Sequence, residues 1–138
     1  MKNRTRSLLC MVLVTMLIAS LVVPAIAAPV QGSGTCGGVY DFTYTIEKKS
    51  TTGVANITTP HTPAYVTATV QNTLNYKAYG KNVKVSDSLT GYARATATAG
   101  NTFTHEGSPM TASIKSTTAE FKVNGEVVLP LGSITIGD

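Results

Sequence analysis

The stretch Tyr65-Val66-Thr67-Ala68-Thr69-Val70-Gln71-Asn72-Thr73-Leu74 sets Val66, Ala68 and Val70 on one side and Tyr65, Thr67 and Thr69 on the other. Alternation with period two makes a strand with one face on a core and one in water. The same rhythm runs outward in both directions. Toward the N-terminus, Val39 to Glu47 sets Tyr40, Phe42, Tyr44 and Ile46 against Asp41, Thr43 and Thr45. Val54 to Thr58 is a short strand ended by Pro60-His61-Thr62-Pro63. Toward the C-terminus come Lys77 to Ser86, broken near Gly80, and then Leu89 to Ala99, the most regular of all. There Ala93, Ala95, Ala97 and Ala99 alternate with Tyr92, Arg94, Thr96 and Thr98. A face of alanines has little side chain to bury. The layer above it must therefore approach closely or bring large residues of its own. Met110 to Lys115, Ala119 to Val123, Glu126 to Leu129 and Ser133 to Ile136 complete the set.

No stretch of ten residues carries apolar positions at helical spacing, and Gly, Pro and Asn separate the strands. Thr fills twenty of the 111 positions from Ala28 onward, and it suits a pleated, half-exposed surface. The expectation is an all-β chain: a small β-sandwich, Ig-like or Greek-key, of about seven to nine short strands. Val123-Asn124-Gly125-Glu126 is the strongest turn signal. A two-residue Asn-Gly loop would set Val123 opposite Glu126. A three-residue loop sets Lys122 opposite Glu126 and Phe121 opposite Val127, and is preferred here because it pairs charge with charge and apolar with apolar.

The N-terminus belongs to a different kind of segment. Lys2, Arg4 and Arg6 precede an apolar run from Leu8 to Val23, and Pro24-Ala25-Ile26-Ala27 follows. This is the pattern of a secretory signal peptide over 1–27, with the mature chain starting at Ala28. The apolar run falls short of the roughly twenty residues that span a bilayer. The expected location is therefore secreted or extracellular, with no membrane span in the mature chain. Residues 28–38, rich in glycine and without periodicity, read as a flexible N-terminal segment, and 39–138 as a single β-sandwich domain.

Cleavage alters the charge. Eleven basic residues less Lys2, Arg4 and Arg6 leaves eight against seven acids, so the +4 of the whole chain becomes +1. A general affinity for nucleic acid is not expected from that balance. Cleavage also removes Cys10, which leaves Cys36 as a free thiol, an intermolecular disulfide or a small apolar residue.

Residues for catalysis are scarce. Cys36 with His61 or His105, oriented by Asp41 or Asp87, is the one nucleophile–base combination available. No family-type sequence surrounds Cys36, and the two histidines lack metal-ligand spacing. No catalytic residue, metal or cofactor is assigned. The stretch with binding chemistry runs from Asn75 to Lys84. It holds Tyr76, Lys77, Tyr79, Lys81 and Lys84 and no acid, and rings beside ammonium groups can contact sugars or anionic polymers. The same lysines would also protect an exposed hairpin edge from pairing with another chain.

Gly37-Gly38-Val39-Tyr40, then His61 with Ala68-Thr69-Val70, then Gly91-Tyr92-Ala93-Arg94-Ala95-Thr96 resembles the order of motifs in lactococcin-type secreted bacteriocins, over about half of the mature chain. Tyrosines stand where that family tends to carry tryptophan. The resemblance implies an antibacterial or membrane-active role. The residues themselves support a secreted, non-enzymatic β-sandwich that binds or assembles at a cell surface. Its partner would be a wall or surface glycan, an anionic polymer, or further copies of itself.

Overall fold

The computed structural model describes residues 28–61, 64–78 and 80–135. The segment 1–27 expected to be a signal peptide and Tyr79 lie outside them. The described chain forms ten strands and no helix. They are β1 (Val30–Cys36), β2 (Tyr40–Lys48), β3 (Thr52–Thr58), β4 (Tyr65–Ala78), β5 (Lys81–Tyr92), β6 (Arg94–Gly100), β7 (Thr102–His105), β8 (Ser108–Thr111), β9 (Ile114–Val123) and β10 (Glu126–Thr135). Two antiparallel four-stranded sheets, ordered β1-β2-β3-β6 and β10-β9-β4-β5, enclose the core, and β7-β8 forms a separate hairpin. The expected all-β sandwich is the observed class. Eight strands build the two sheets; the remaining pair includes Met110 and Thr111, the start of the expected Met110–Lys115 strand, which is divided between β8 and β9.

The alternation of β2, β4 and β9 dictates the interior. Phe42, Tyr44 and Ile46 from β2 meet Val66, Ala68 and Val70 from β4 and Ala119, Phe121 and Val123 from β9, all buried. The Tyr44 and Phe121 rings cross the gap between the sheets at 5.2 Å. Fully burying a ring of this size contributes roughly 1.5–3 kcal/mol.

The alanine row settles its alternative in favour of close approach. Ala95, Ala97 and Ala99 of β6 face Ala55 of β3 and the strands of the other sheet, all buried. Cα atoms of β6 come within 8 Å of those of β4 and β5, nearer than the ~10 Å usual between packed sheets. Asn72 exploits the proximity. Its Nδ2 donates to the carbonyls of Ala99 (2.8 Å) and Gly100 (3.0 Å), while its Oδ1 accepts from the Thr117 hydroxyl at 2.8 Å. A Cβ on Gly53 would overlap both Asn72 and Thr117, so glycine is what admits this buried polar pin.

Several expectations are corrected. Residues 28–38 are not a flexible leader, because Val30–Cys36 pairs with β2 along its whole length, from Val30↔Ile46 to Cys36↔Tyr40. Of the glycines that suggested mobility, Gly37 and Gly38 form the turn into β2 at positive φ, while Gly32 and Gly34 are there for packing. Tyr44 folds over Gly32 and Phe42 over Gly34, where a Cβ would collide with the rings; aromatic cover of a strand glycine is a recognised stabilising device. Leu89 to Ala99 is not one strand either. It breaks at Ala93, whose φ of 62° turns the chain from one sheet to the other. The corner is held by Ala93 N–H donating to Ala64 and by the Ala93 carbonyl accepting from Thr59. Gly91 is needed beside it, since a Cβ there would strike the Arg94 carbonyl. Lys77 lies in the last two residues of β4 rather than opening a strand of its own, and Ile114 opens β9.

The turn register is the reverse of the preferred one. Glu126 faces Val123 and Val127 faces Lys122. Asn124 (φ 49°) and Gly125 (φ 80°) occupy the left-handed region that a two-residue Asn-Gly hairpin demands. The turn is tied to the start of β4: Asn124 N–H donates to the Tyr65 carbonyl at 2.8 Å, and Tyr65 N–H donates to Asn124 Oδ1 at 3.1 Å. Turn chemistry and this clamp outweigh an exposed charge pair, which contributes little. A bulge after Val127 then returns apolar contact, with Val128 buried and Leu129 opposite Phe121.

Candidate functional site

The lysine–tyrosine stretch forms the distal end of the β4–β5 hairpin, and the structure divides it. Tyr76 continues the inward face of β4 and is half-buried. Its ring meets Phe103 at 5.0 Å and His105 at 5.7 Å on the β7–β8 hairpin. That ring is a packing element holding one hairpin against another. Lys77, Lys81 and Lys84 are exposed. Lys84 stands opposite Thr73 on the outer face, whereas Lys81 lies opposite Ala78 beyond a register shift, on the alternation that includes Val83. The three ammonium groups therefore do not share one face, and the aromatic partner described for them points inward.

A different surface gathers more. On β4, Tyr65, Thr67, Thr69, Gln71 and Thr73 point away from the core, and antiparallel pairing sets them opposite Tyr92, Thr90, Ser88, Ser86 and Lys84 of β5. Three consecutive rungs are joined by side chains: the Thr67 and Thr90 hydroxyls at 2.8 Å, the Thr69 and Ser88 hydroxyls at 2.8 Å, and Gln71 Nε2 donating to Ser86 Oγ at 3.1 Å. Cross-strand pairs of this kind hold both chains in fixed geometry. The row continues onto β9, with Lys122 opposite Thr67, Glu120 opposite Thr69 and Thr118 opposite Gln71. Lys122 and Glu120 lie 3.9 Å apart and offset each other's charge.

At one end of the ladder stand the paired rings Tyr65 and Tyr92, 41% and 76% exposed. The exposed Val127 lies opposite Lys122 at the same end. A strip of hydroxyl and amide donors and acceptors ending in open aromatic rings can hydrogen-bond a polyhydroxyl chain and stack on its apolar faces. The outer face of the other sheet provides a contrast. Ser33, Thr43, Thr58 and Arg94 form one row across it, and Gln31, Thr45, Asn56 and Thr96 the next. It carries the same hydroxyls and amides but no aromatic ring.

Sequence reading missed this site because it depends on a pairing 27 residues apart, Tyr65 with Tyr92. The available signal was the run of polar residues on the outer side of the Tyr65–Leu74 alternation.

Cys36 is 4% exposed, with its Sγ 3.7 Å from Glu126 Oε2, and no described cysteine is free. A bridge from it to another molecule would require β1 to lift from the core. His61 Nε2 lies 3.9 Å from Asp41 Oδ2 and its ring meets Tyr40 edge-on at 5.8 Å. Among the described residues no three His, Cys, Asp or Glu side chains cluster as a metal ion would need, and no helix is long and apolar enough to cross a membrane. No family model, curated protein or solved structure matches the chain.

Proposed function

We propose that this is a secreted, non-enzymatic module that binds a polysaccharide at a cell or wall surface through the outer face of β5-β4-β9. One observation carries the reading: a hydrogen-bonded hydroxyl and amide ladder leads to the exposed Tyr65–Tyr92 pair. Rigid rings and pre-positioned hydroxyls lose little entropy on binding, so modest contacts convert efficiently into affinity. The three rungs nearest the rings are uncharged, and the Lys122–Glu120 pair beside them offsets its own charge, which suits a neutral polymer better than a strongly anionic one. The lysines at the hairpin end would add a weak, salt-screened contribution.

Retention of the protein on insoluble wall material and purified polysaccharides tests this. Replacing both tyrosines (Tyr65→Ala with Tyr92→Ala) is expected to weaken retention about tenfold or more, since a stacked ring is worth roughly 1–3 kcal/mol. High salt should change it little. Retention that survives the tyrosine double variant and disappears in salt, or on removing Lys77, Lys81 and Lys84, would return the site to the lysine hairpin and an anionic polymer.

A further inference from the structure

A sandwich of two open sheets has four edge strands, and here they differ sharply in how pairing with another chain is prevented. Strand β10 carries Pro130, which has no N–H, and its pairing with β9 shifts register twice. Strand β5 carries Lys81, Lys84 and Asp87. Strand β6 begins at Arg94, and its Thr98 N–H is already taken by the Asp87 carboxylate at 2.9 Å. Charge, proline, bulges and cover are the standard protections of an edge. Among the described residues, strand β1 has none of them. Val30-Gln31-Gly32-Ser33-Gly34-Thr35-Cys36 contains no charge and no proline, and it pairs with β2 without a bulge. Alternate residues of such a strand direct their N–H and C=O groups away from the partner already bound, and among the described residues no strand lies on that side.

We propose that β1 is the edge through which two copies of this chain pair. The two β1 strands would run antiparallel about a two-fold axis and join the two β1-β2-β3-β6 sheets into one of eight strands. A second copy fits better than a charged partner segment, because the strand offers only neutral, small side chains that an identical strand can face without repulsion. The inference is independent of the polysaccharide reading, since Tyr65 and Tyr92 lie on the other sheet.

Sedimentation under reducing conditions tests it, using the chain as an expressing cell exports and processes it. The expected result is a reversible dimer whose population rises with concentration between about 1 µM and 1 mM. Gln31→Lys with Ser33→Lys should weaken pairing at least tenfold, by setting like charges across the new interface. Gln31→Glu with Ser33→Glu should do the same, and mixing the lysine and glutamate proteins should restore a mixed dimer. Thr96→Lys, on the opposite edge of the same sheet, should leave association unchanged. A monomer throughout that range would overturn the proposal. So would a dimer indifferent to both charge pairs, which would place the contact elsewhere, and so would charged variants that lose pairing without recovering it on mixing.

Discussion

The two sides of the sandwich solve the same packing problem in opposite ways. Along β6, inward side chains are reduced to alanine and its backbone approaches the strands that face it. Asn72 spans the gap to hydrogen-bond main-chain carbonyls, and Asp87 reaches the Thr98 N–H. Along β1 and β2 the space is filled by rings: Phe42 stacks on Tyr44, and Tyr44 meets Phe121 from the other sheet. Glycines serve both sides: Gly53 makes room for Asn72 and Thr117 beside the alanines, and Gly32 and Gly34 make room for the rings. Small residues thus mean close backbones on one side and space for aromatics on the other. Residue size alone does not tell the two apart; the partner does.

That comparison can be broken from either side. Phe121→Ala should be the most damaging change, costing about 3–5 kcal/mol because the surrounding rings cannot collapse into the space; a denaturant midpoint shift at constant slope would measure it. Asn72→Ala should cost about 2–3 kcal/mol by leaving the Thr117 hydroxyl and two inward carbonyls without a partner. Were water to replace the amide freely, the loss would fall well below 1 kcal/mol. Ala97→Leu probes the narrow side directly and should cost about 1–3 kcal/mol by overpacking. Tolerance of the leucine would mean that the sheets can separate there.

Two smaller effects sharpen the picture. Burial pushes the Tyr44 hydroxyl above the usual tyrosine range. A group raised in the folded state contributes fully below its unfolded pKa, near 10, and that contribution is lost as pH rises through the folded value. Stability should therefore fall on the alkaline side of about pH 10, and Tyr44→Phe should remove part of that fall. The Ala93 corner should give the least change. A residue with a Cβ at positive φ is strained by roughly 1–2 kcal/mol, and Ala93→Gly recovers part of it against glycine's greater chain entropy. A thermal midpoint raised by a few degrees or unchanged fits this, whereas a clear decrease would mean that glycine's chain entropy outweighs the strain relieved at the corner.

Much of this architecture was legible in residue order. The period-two rhythm located β2, β3 and the body of β4, and the alanines announced either close approach or large residues in the facing layer before any partner was known. What the rhythm lacked was reach. Glycine hides a strand from any hydrophobic pattern, so β1 was read as a frayed end, although the rings that cover it were visible at Phe42 and Tyr44. The Asn124–Gly125 register was decided by backbone torsions and by a clamp from Tyr65, which lies 59 residues away. The candidate site suffered most, because a face exists only once strands are paired. Tyr76 has the composition of a binding residue and the position of a packing one, while Tyr65 and Tyr92 are unremarkable singly and become a platform together.

The path of the chain between the sheets has a consequence for when the molecule becomes whole. Strands β1, β2 and β3 belong to one sheet and β4 and β5 to the other; β6 returns to the first, and β9 and β10 to the second. The pairings β3–β6 and β4–β9 therefore interleave along the sequence, and neither sheet is complete without chain that follows part of its neighbour. A polypeptide emerging from its N-terminus can zip its hairpins early, but the apolar side of β4 lacks Phe121 until β9 arrives. Folding of this kind belongs to the slow, non-local class of milliseconds to seconds. A nick between β6 and β9 would leave one fragment with the β1-β2-β3-β6 sheet and the β4–β5 hairpin, and another with β9 and β10, whose apolar faces complete each other only on reassociation.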